Sequence, residues 1–245
     1  MKAALYRLEV TISKQSALRK FIRRLVLPAA RMSFPTPLKG PFGNLSHLAD
    51  FSRWIKSHPC PSQFPDRYAL YEHVLRTETS DGAVDYLEFG VWEGRSLKWW
   101  VQHLVSKEAR FFAFDSFEGL PEDWGIAPGG SFSTGGRIPD IDDPRVEFVV
   151  GYFQDTLSAF LRAYNPAKRR IINMDADLYS STLFVLTMLV PFLKAGDVLI
   201  FDELGSILRA HHEFRAFRDF CSAFRVSAEP IAADEALHTV AVRIA

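Results

Sequence analysis

The stretch that most constrains the fold is residues 84–105, where an apolar run leads into a glycine turn and then into a one-faced helical pattern. The apolar run ends near Glu88, and Gly90 and Gly94 follow it. A strand that passes through a glycine turn into a helix predicts a ligand-binding crossover of an α/β fold. The two glycines let the backbone approach a ligand closely, because a side chain would block access or forbid the required φ.

The charge of Glu88 limits the kind of ligand that this turn can bind. A dinucleotide motif reads G-x-G-x-x-G and places a pyrophosphate on the helix N-terminus. A carboxylate repels phosphates but suits an ammonium group or a ribose hydroxyl. The next apolar run ends in Asp115, where a carboxylate of the second strand would meet ribose hydroxyls. The alternative is that the glycines only form a turn between a strand and a helix.

Apolar runs alternate with helical patterns along the rest of the chain, and this alternation predicts the fold class. We expect strands at 84–88, 110–115, 146–150, 169–175, 196–202, 225–228 and 237–244, and helices at 45–57, 66–78, 96–105, 153–164, 181–193 and 207–224. The pattern predicts an α/β fold with a doubly wound, mostly parallel, seven-stranded sheet and helices on both faces. The last two strands, with little between them, predict an antiparallel hairpin at the sheet edge.

The N-terminal region differs from this core, and we expect an extension over 1–45 and a core domain over 46–245. Residues 16–27 place apolar and basic side chains on opposite faces, which predicts a basic amphipathic helix. Such a helix could lie on an anionic membrane, pack in a homo-oligomer, or pack on its own core. Residues 33–43 are rich in Pro and Gly and predict a linker or a loop that crosses the active-site face.

Composition excludes several classes of protein. With 29 basic and 29 acidic residues, no overall charge attracts the chain to nucleic acid. Cys60 and Cys221 are far apart, so neither a disulfide framework nor a thiolate metal site is expected. The longest apolar run spans 11 positions, too short for a transmembrane helix. No secretory signal is evident, and we expect a cytoplasmic protein.

The connection over residues 118–144 is unusually long for a compact domain. It holds six of the fourteen glycines. Long connections of this kind are often functional, so we expect a lid over a substrate pocket, with disorder as the alternative. Trp124, Phe132 and Arg137 are its candidate substrate contacts.

Four acids follow two neighbouring predicted strands and indicate chemistry. Asp175 and Asp177 follow the fourth strand, and Asp202 and Glu203 follow the fifth. Adjacent strand ends bring these carboxylates together, which is repulsive unless a cation lies among them, and oxygen ligands favour Mg²⁺. The alternative is that Asp177 and Asp202 cap the helices after them.

Two adjacent histidines follow the last of these acids. His211 and His212 could act as a base or as metal ligands. As the alternative, they lie on the surface of the predicted helix 207–224.

Five blocks in this order resemble the class I S-adenosylmethionine-dependent methyltransferases. More narrowly, they resemble the macrocin and mycinamicin O-methyltransferase family, which methylates sugar hydroxyls of antibiotics and related products. The resemblance covers about residues 65–225. The blocks are LEFGVWEG (87–94), FDSFEGLP (114–121), GYFQDTL (151–157), DADLYSST (175–182) and GDVLIFD (196–202).

The resemblance implies that the first two blocks hold S-adenosylmethionine and that the acids bind Mg²⁺ and supply a base. The assigned cofactor-binding residues are Glu88, Gly90, Gly94, Ser96, Asp115, Ser116 and Asp175; the metal ligands are Asp175, Asp202 and Glu203; the catalytic residues are Asp175 and Asp177. The chain departs from the family at Glu203, usually Asp, and at Ala176, usually Gly. The longer side chain of Glu203 would shift the metal.

These features predict an S-adenosylmethionine- and Mg²⁺-dependent O-methyltransferase that acts on a hydroxyl of a sugar, polyol or related small molecule. A catechol also offers two adjacent oxygens to a metal. One alternative is a non-catalytic methyltransferase-like protein that uses the pocket for binding or assembly, although its acids are intact. A nicotinamide-dependent oxidoreductase is disfavoured by Glu88 and by the missing first glycine of the dinucleotide motif.

Overall fold

The computed structural model describes residues 36–79, 83–166 and 169–245 of the chain. The helices are α1 Thr36–Ser57, α2 Arg67–Glu78, α3 Arg95–His103, α4 Phe153–Ala163, α5 Tyr179–Leu189 and α6 Glu213–Phe224. The strands are β1 Gln63–Phe64, β2 Val84–Phe89, β3 Arg110–Asp115, β4 Val146–Val150, β5 Arg169–Met174, β6 Val198–Phe201, β7 Ala228–Asp234 and β8 Val240–Ile244. Residues 44–245 form one compact unit.

The strands form a single sheet in the order β1-β7-β8-β6-β5-β2-β3-β4. Strands β2 to β6 pair in parallel, whereas β8 is antiparallel to both β6 and β7. The predicted α/β fold with a mostly parallel sheet is confirmed. The two-residue strand β1 pairs with β7 and raises the strand number from seven to eight. The antiparallel β7–β8 pair therefore lies one strand in from the edge.

Both faces of the sheet are covered, which explains the continuous apolar runs of its central strands. All six residues of β2 are buried. On one face, Phe89 and Phe114 pack with residues of α4, α5 and α6. On the other face, Tyr86 and Phe111 pack with residues of α2 and α3. The strand ends are thereby held rigidly at the edge where the candidate site lies.

The largest differences from the predicted boundaries are at the starts of α1 and α6 and at β7, which spans Ala228–Asp234 instead of 225–228. Helix α1 begins at Thr36, so most of the Pro- and Gly-rich stretch 33–43 is helical. Pro37 lies in the first turn, where its missing N–H leaves no helical hydrogen bond unmade. Helix α6 begins at Glu213 rather than at 207, because residues 207–212 form turns. The predicted basic helix at 16–27 lies outside the described residues, and the division at 45/46 stays a prediction.

None of the helices among the described residues is long and apolar enough to cross a membrane.

Candidate active site

A cavity of about 380 Å³ lies at the carboxyl ends of β2, β3, β5 and β6. Its position follows from the parallel sheet, because such sheets bind ligands beyond the carboxyl ends of their strands. Seven predicted site residues line it: Gly90, Asp115, Ser116, Asp175, Asp177, Asp202 and Glu203. The sheet thus brings four separate sequence blocks into one volume.

Gly90 joins the glycine turn to the end of β5. Its φ is +93°, and a Cβ at this position would lie 1.8 Å from the carbonyl oxygen of Asp175. The Gly90 N–H donates to the carbonyl of Phe114 at 3.0 Å. Only glycine fits this close approach, so the turn is fixed against both neighbouring strands.

The carboxylate of Asp115 holds two loops together. Its Oδ2 accepts the backbone N–H groups of Val91 at 2.7 Å and Trp92 at 2.8 Å. Its Oδ1 accepts the N–H of Phe117 at 2.7 Å. A carboxylate has about four acceptor positions, so one remains on Oδ1 for a ligand. The position suits the predicted ribose contact, and it also makes Asp115 a structural anchor of the turn.

Three predicted cofactor residues, Glu88, Gly94 and Ser96, do not line the cavity. The carboxyl group of Glu88 is fully buried and accepts hydrogen bonds from the hydroxyls of Ser96 and Tyr86. Burial raises the pKa of Glu88 to about 7 despite these two bonds. A Cβ on Gly94 would lie 2.8 Å from Pro139. These residues pack against the glycine turn on the side away from the cavity. Their direct contact with a cofactor stays a prediction.

The four acids after β5 and β6 lie around one side of the cavity and perturb one another. Burial, followed by the charges of Asp202 and Asp177, raises the pKa of Asp175 well above its ordinary value. Burial, followed by Glu203 and Asp202, raises the pKa of Asp177 to about 7. Burial also raises the pKa values of Asp202 and Glu203, although nearby arginines lower them. Ionised together, these carboxylates need a positive partner.

Two arginines that the sequence analysis did not identify supply part of that charge. The two terminal guanidinium nitrogens of Arg67, Nη1 and Nη2, pair with the carboxylate of Asp202 at 3.0 Å. Arg209 donates to Glu203 Oε1 at 3.1 Å. Both arginines line the cavity. No motif marks them, because each lies far from a strand end in the predicted pattern.

The described residues contain no preformed group of three or more His, Cys, Asp and Glu side chains arranged to hold a metal ion. The donor chemistry nevertheless fits Mg²⁺, since hard carboxylate oxygens are its preferred protein ligands. The cluster also has an excess of acid. Asp175, Asp177, Asp202 and Glu203 face the guanidinium groups of Arg67 and Arg209, which leaves room for a divalent cation.

Helix capping does not explain the acids. The residue that precedes α5 is Leu178, and no side chain caps that helix. Asp177 has a φ of +57° and lies in the turn before it. Asp202 precedes turns rather than a helix, and the residue before α6 is His212. The capping alternative is therefore wrong for both Asp177 and Asp202.

The two histidines do not line the cavity. Nδ1 of His212 accepts the backbone N–H of Tyr179 at 3.2 Å, and burial followed by His211 lowers the pKa of His212 to about 4. His211 contacts Asn44. His212 is thus neutral at pH 7 and accepts a hydrogen bond from the first residue of α5. A role for His211 or His212 as base or metal ligand therefore has no support.

The segment 118–144 covers the cavity and is held in turns. Leu120, Pro121, Trp124 and Phe132 contribute to the cavity wall. The guanidinium of Arg209 lies 3.2 Å from the ring centroid of Trp124, which is 4% exposed. Arg137 instead lines a neighbouring cavity of about 430 Å³. The segment therefore has the position of the predicted lid, with Arg137 outside the main cavity.

Sequence reasoning also missed Tyr152, Phe153 and Gln154, which line the cavity after β4. A signal was available, because they follow a predicted strand at its carboxyl end and lie within the block 151–157.

Comparisons with known proteins agree with this geometry. Residues 136–229 match the family model of macrocin-O-methyltransferase, TylF. An 8-demethyl-8-(2,3-dimethoxy-alpha-L-rhamnosyl)-tetracenomycin-C 4'-O-methyltransferase of Streptomyces olivaceus is 27% identical over 59% of this chain and 63% of its own length. The mycinamicin III 3''-O-methyltransferase of Micromonospora griseorubida is 26% identical over 59% of this chain and 65% of its own length. The match thus spans less than two thirds of either relative.

Solved structures share the fold. The calicheamicin methyltransferase CalS11 superposes with a TM-score of 0.58 at 19% identity, covering 81% of this chain and 91% of that one. The CmcI structure with Mg and SAM has a TM-score of 0.51 at 20% identity, covering 76% and 77%. At this level of identity the likeness concerns the fold alone. The predicted resemblance is confirmed: the chain has the class I methyltransferase fold, and its residues 136–229 resemble the macrocin-O-methyltransferase family.

Proposed function

We propose that this protein transfers a methyl group from S-adenosylmethionine to a hydroxyl of a sugar or another polyol, and that it needs Mg²⁺. One observation carries the proposal: a single cavity joins the Gly90 turn and Asp115 to the acids after β5 and β6. The first set suits a cofactor and the second suits a metal-bound hydroxyl. The sugar is favoured as acceptor because both curated relatives are O-methyltransferases and one is named for a rhamnosyl substrate.

The residues of the chain divide the work of the reaction. Gly90 allows the donor to lie against the backbone, and the remaining acceptor position on Oδ1 of Asp115 accepts a hydrogen bond from a ribose hydroxyl. When bound, S-adenosylmethionine would supply an activated methyl group, whose carbon–sulfur bond would break as the acceptor oxygen bonds to the methyl carbon. Asp177 takes the hydroxyl proton as general base, because it lines the same cavity beside the proposed metal ligands.

Asp175, Asp202 and Glu203 would hold the Mg²⁺. When bound, the ion supplies Lewis acidity that lowers the pKa of an acceptor hydroxyl. Arg67 and Arg209 balance the remaining acid charge. The buried ring of Trp124 excludes water from the covered side of the cavity.

A non-catalytic binding protein is the second candidate, favoured by the ion pairs of Asp202 with Arg67 and of Glu203 with Arg209. Arginines that permanently replaced a metal would leave the pocket able to bind but unable to activate a hydroxyl. Methyl transfer separates the two readings.

The test is a screen of sugars, glycosides and catechols with labelled methyl donor, with and without Mg²⁺. We expect labelled product from a sugar or glycoside, loss of turnover in chelator and recovery with added Mg²⁺. Binding of S-adenosylhomocysteine without any transfer would favour the non-catalytic protein. Binding of a nicotinamide dinucleotide instead would contradict both. Cytoplasmic location and self-association through the N-terminal region stay predictions.

A further inference from the structure

Glu213 is a buried carboxyl group beside the acid cluster that the proposed mechanism does not use. It is the first residue of α6, its side chain is 1% exposed, and it does not line the cavity. Burial and then the charges of Asp202, Glu203 and Asp177 raise the pKa of Glu213, so Glu213 lies next to the acid cluster, on the side away from the cavity. Burial of a carboxyl group among other acids is costly, which calls for a compensating role.

The two carboxyl oxygens of Glu213 have different surroundings. Oε2 accepts the backbone N–H of Glu203 at 2.8 Å. Oε1 is enclosed and has no hydrogen-bond partner among the described residues. The bond through Oε2 ties the start of α6 to the turn after β6, which carries both Asp202 and Glu203.

We propose that Glu213 is a positioning residue that fixes this turn so that Asp202 and Glu203 can meet one divalent cation. The inference rests on the proposed Mg²⁺ site. Glu203 is held at both ends, its N–H by Glu213 and its carboxylate by Arg209 at 3.1 Å. Direct ligation by Glu213 is disfavoured, because Oε2 is engaged and the side chain does not reach the cavity wall.

Two substitutions separate the reach of the side chain from its carboxyl group. Glu213→Gln keeps the length and an oxygen that accepts the Glu203 N–H, but it has no carboxyl group. Glu213→Asp keeps the carboxyl group but is one methylene shorter, so the bond is lost. Replacing a group that orients metal ligands typically weakens metal binding about 10- to 100-fold. We expect that loss for Asp, and an affinity for Mg²⁺ within about three-fold of the unmodified protein for Gln.

The measurement is calorimetric titration of Mg²⁺ into each folded variant saturated with S-adenosylhomocysteine. Glu78→Asp is the matched control, because Glu78 is a buried Glu paired with Arg169 away from the cavity, and it should leave Mg²⁺ affinity unchanged. Normal affinity in Glu213→Asp overturns the inference, and so does a Gln variant as weak as Asp, since the carboxyl group itself would then matter rather than the reach of the side chain. If Asp does not fold, Glu213→Met, which fills a similar volume without an acceptor for the Glu203 N–H, should weaken Mg²⁺ binding about 10- to 100-fold, and normal affinity in that variant overturns the inference.

Failure of the proposed function gives a different result. If the unmodified protein binds S-adenosylhomocysteine but no Mg²⁺, the proposed metal site is wrong, and the role proposed for Glu213 is wrong with it. An unmodified protein that binds Mg²⁺ while Glu213→Asp binds it equally well removes the inference alone.

Discussion

The two sides of the cavity use carboxylates in opposite ways. On the side of β2 and β3, Asp115 accepts three backbone N–H groups. On the side of β5 and β6, Asp175 and Asp177 face other acids that raise their pKa values. A carboxylate surrounded by fixed donors is preorganised before any ligand arrives, whereas a cluster of acids is completed by a cation. The first side therefore has the character of a binding surface, and the second that of a site for chemistry.

The largest expected effect comes from Asp202→Asn, which acts on the acid side only. Loss of a metal ligand should raise the activation free energy by about 3 kcal/mol or more, which lowers the turnover rate roughly 100-fold. Affinity for S-adenosylhomocysteine, measured by calorimetry, should change little. The free energy of unfolding of the apo protein should fall by less than loss of a buried ion pair alone would cause, because relief of acid repulsion offsets the lost Arg67 pair.

Asp143→Asn is the matched control for this substitution, since Asp143 pairs with Arg145 outside the cavity. It should leave turnover unchanged. Full activity of Asp202→Asn in the presence of chelator would show that the acid side holds no metal needed for catalysis.

Asp115→Ala should have the next largest effect, and it acts on the binding side. Loss of charge-assisted bonds should cost about 1.5–3 kcal/mol, or roughly ten- to hundred-fold in cofactor affinity. The dependence of turnover on Mg²⁺ concentration should not shift. Asp66→Ala is the control, because Asp66 also accepts two backbone N–H groups, at the start of α2. Unchanged cofactor affinity in folded Asp115→Ala would mean that Asp115 is only a structural anchor.

Gly90→Ala tests the contact that joins the two sides. A Cβ would lie 1.8 Å from the Asp175 carbonyl at a φ of +93°, so the turn or the end of β5 must move. We expect a loss of about 1–3 kcal/mol in the free energy of unfolding, together with weaker binding of cofactor. Gly125→Ala shares a positive φ but meets nothing within 4 Å, and it isolates the backbone cost. Equal losses in the two variants would show that the contact itself is unimportant.

The smallest expected effect concerns the segment 118–144, which Arg209 links to the acid side through Trp124. Arg209→Ala should speed proteolytic cleavage within the segment a few-fold, about 0.5–1 kcal/mol of local stability. Cofactor and acceptor should slow cleavage in the unmodified protein. Arg215→Ala, which removes a guanidinium stacked on Tyr179, should not change the rate. Identical rates with and without ligands would show that the segment is not a lid.

Sequence by itself determined the fold class and the edge of the sheet at which the site lies. Alternating apolar runs and helical patterns predict parallel strands, and parallel strands place their carboxyl ends together. Asp115, Asp175 and Asp202 could therefore be assigned to one site from their positions at strand ends, and the resemblance to methyltransferases rests on the same blocks.

Only the tertiary structure decided which groups surround these acids. Arg67 pairs with Asp202 across 135 positions of sequence, and Glu213 reaches Glu203 only because residues 207–212 turn instead of extending α6. Glu88 and Ser96, assigned to the cofactor by their place in a motif, bond to each other beneath the turn, and their contact with a cofactor stays a prediction. Sequence periodicity shows which face of a helix or strand a residue occupies. Charge pairing and burial depend on the distances between helices and strands, and only their packing determines those distances.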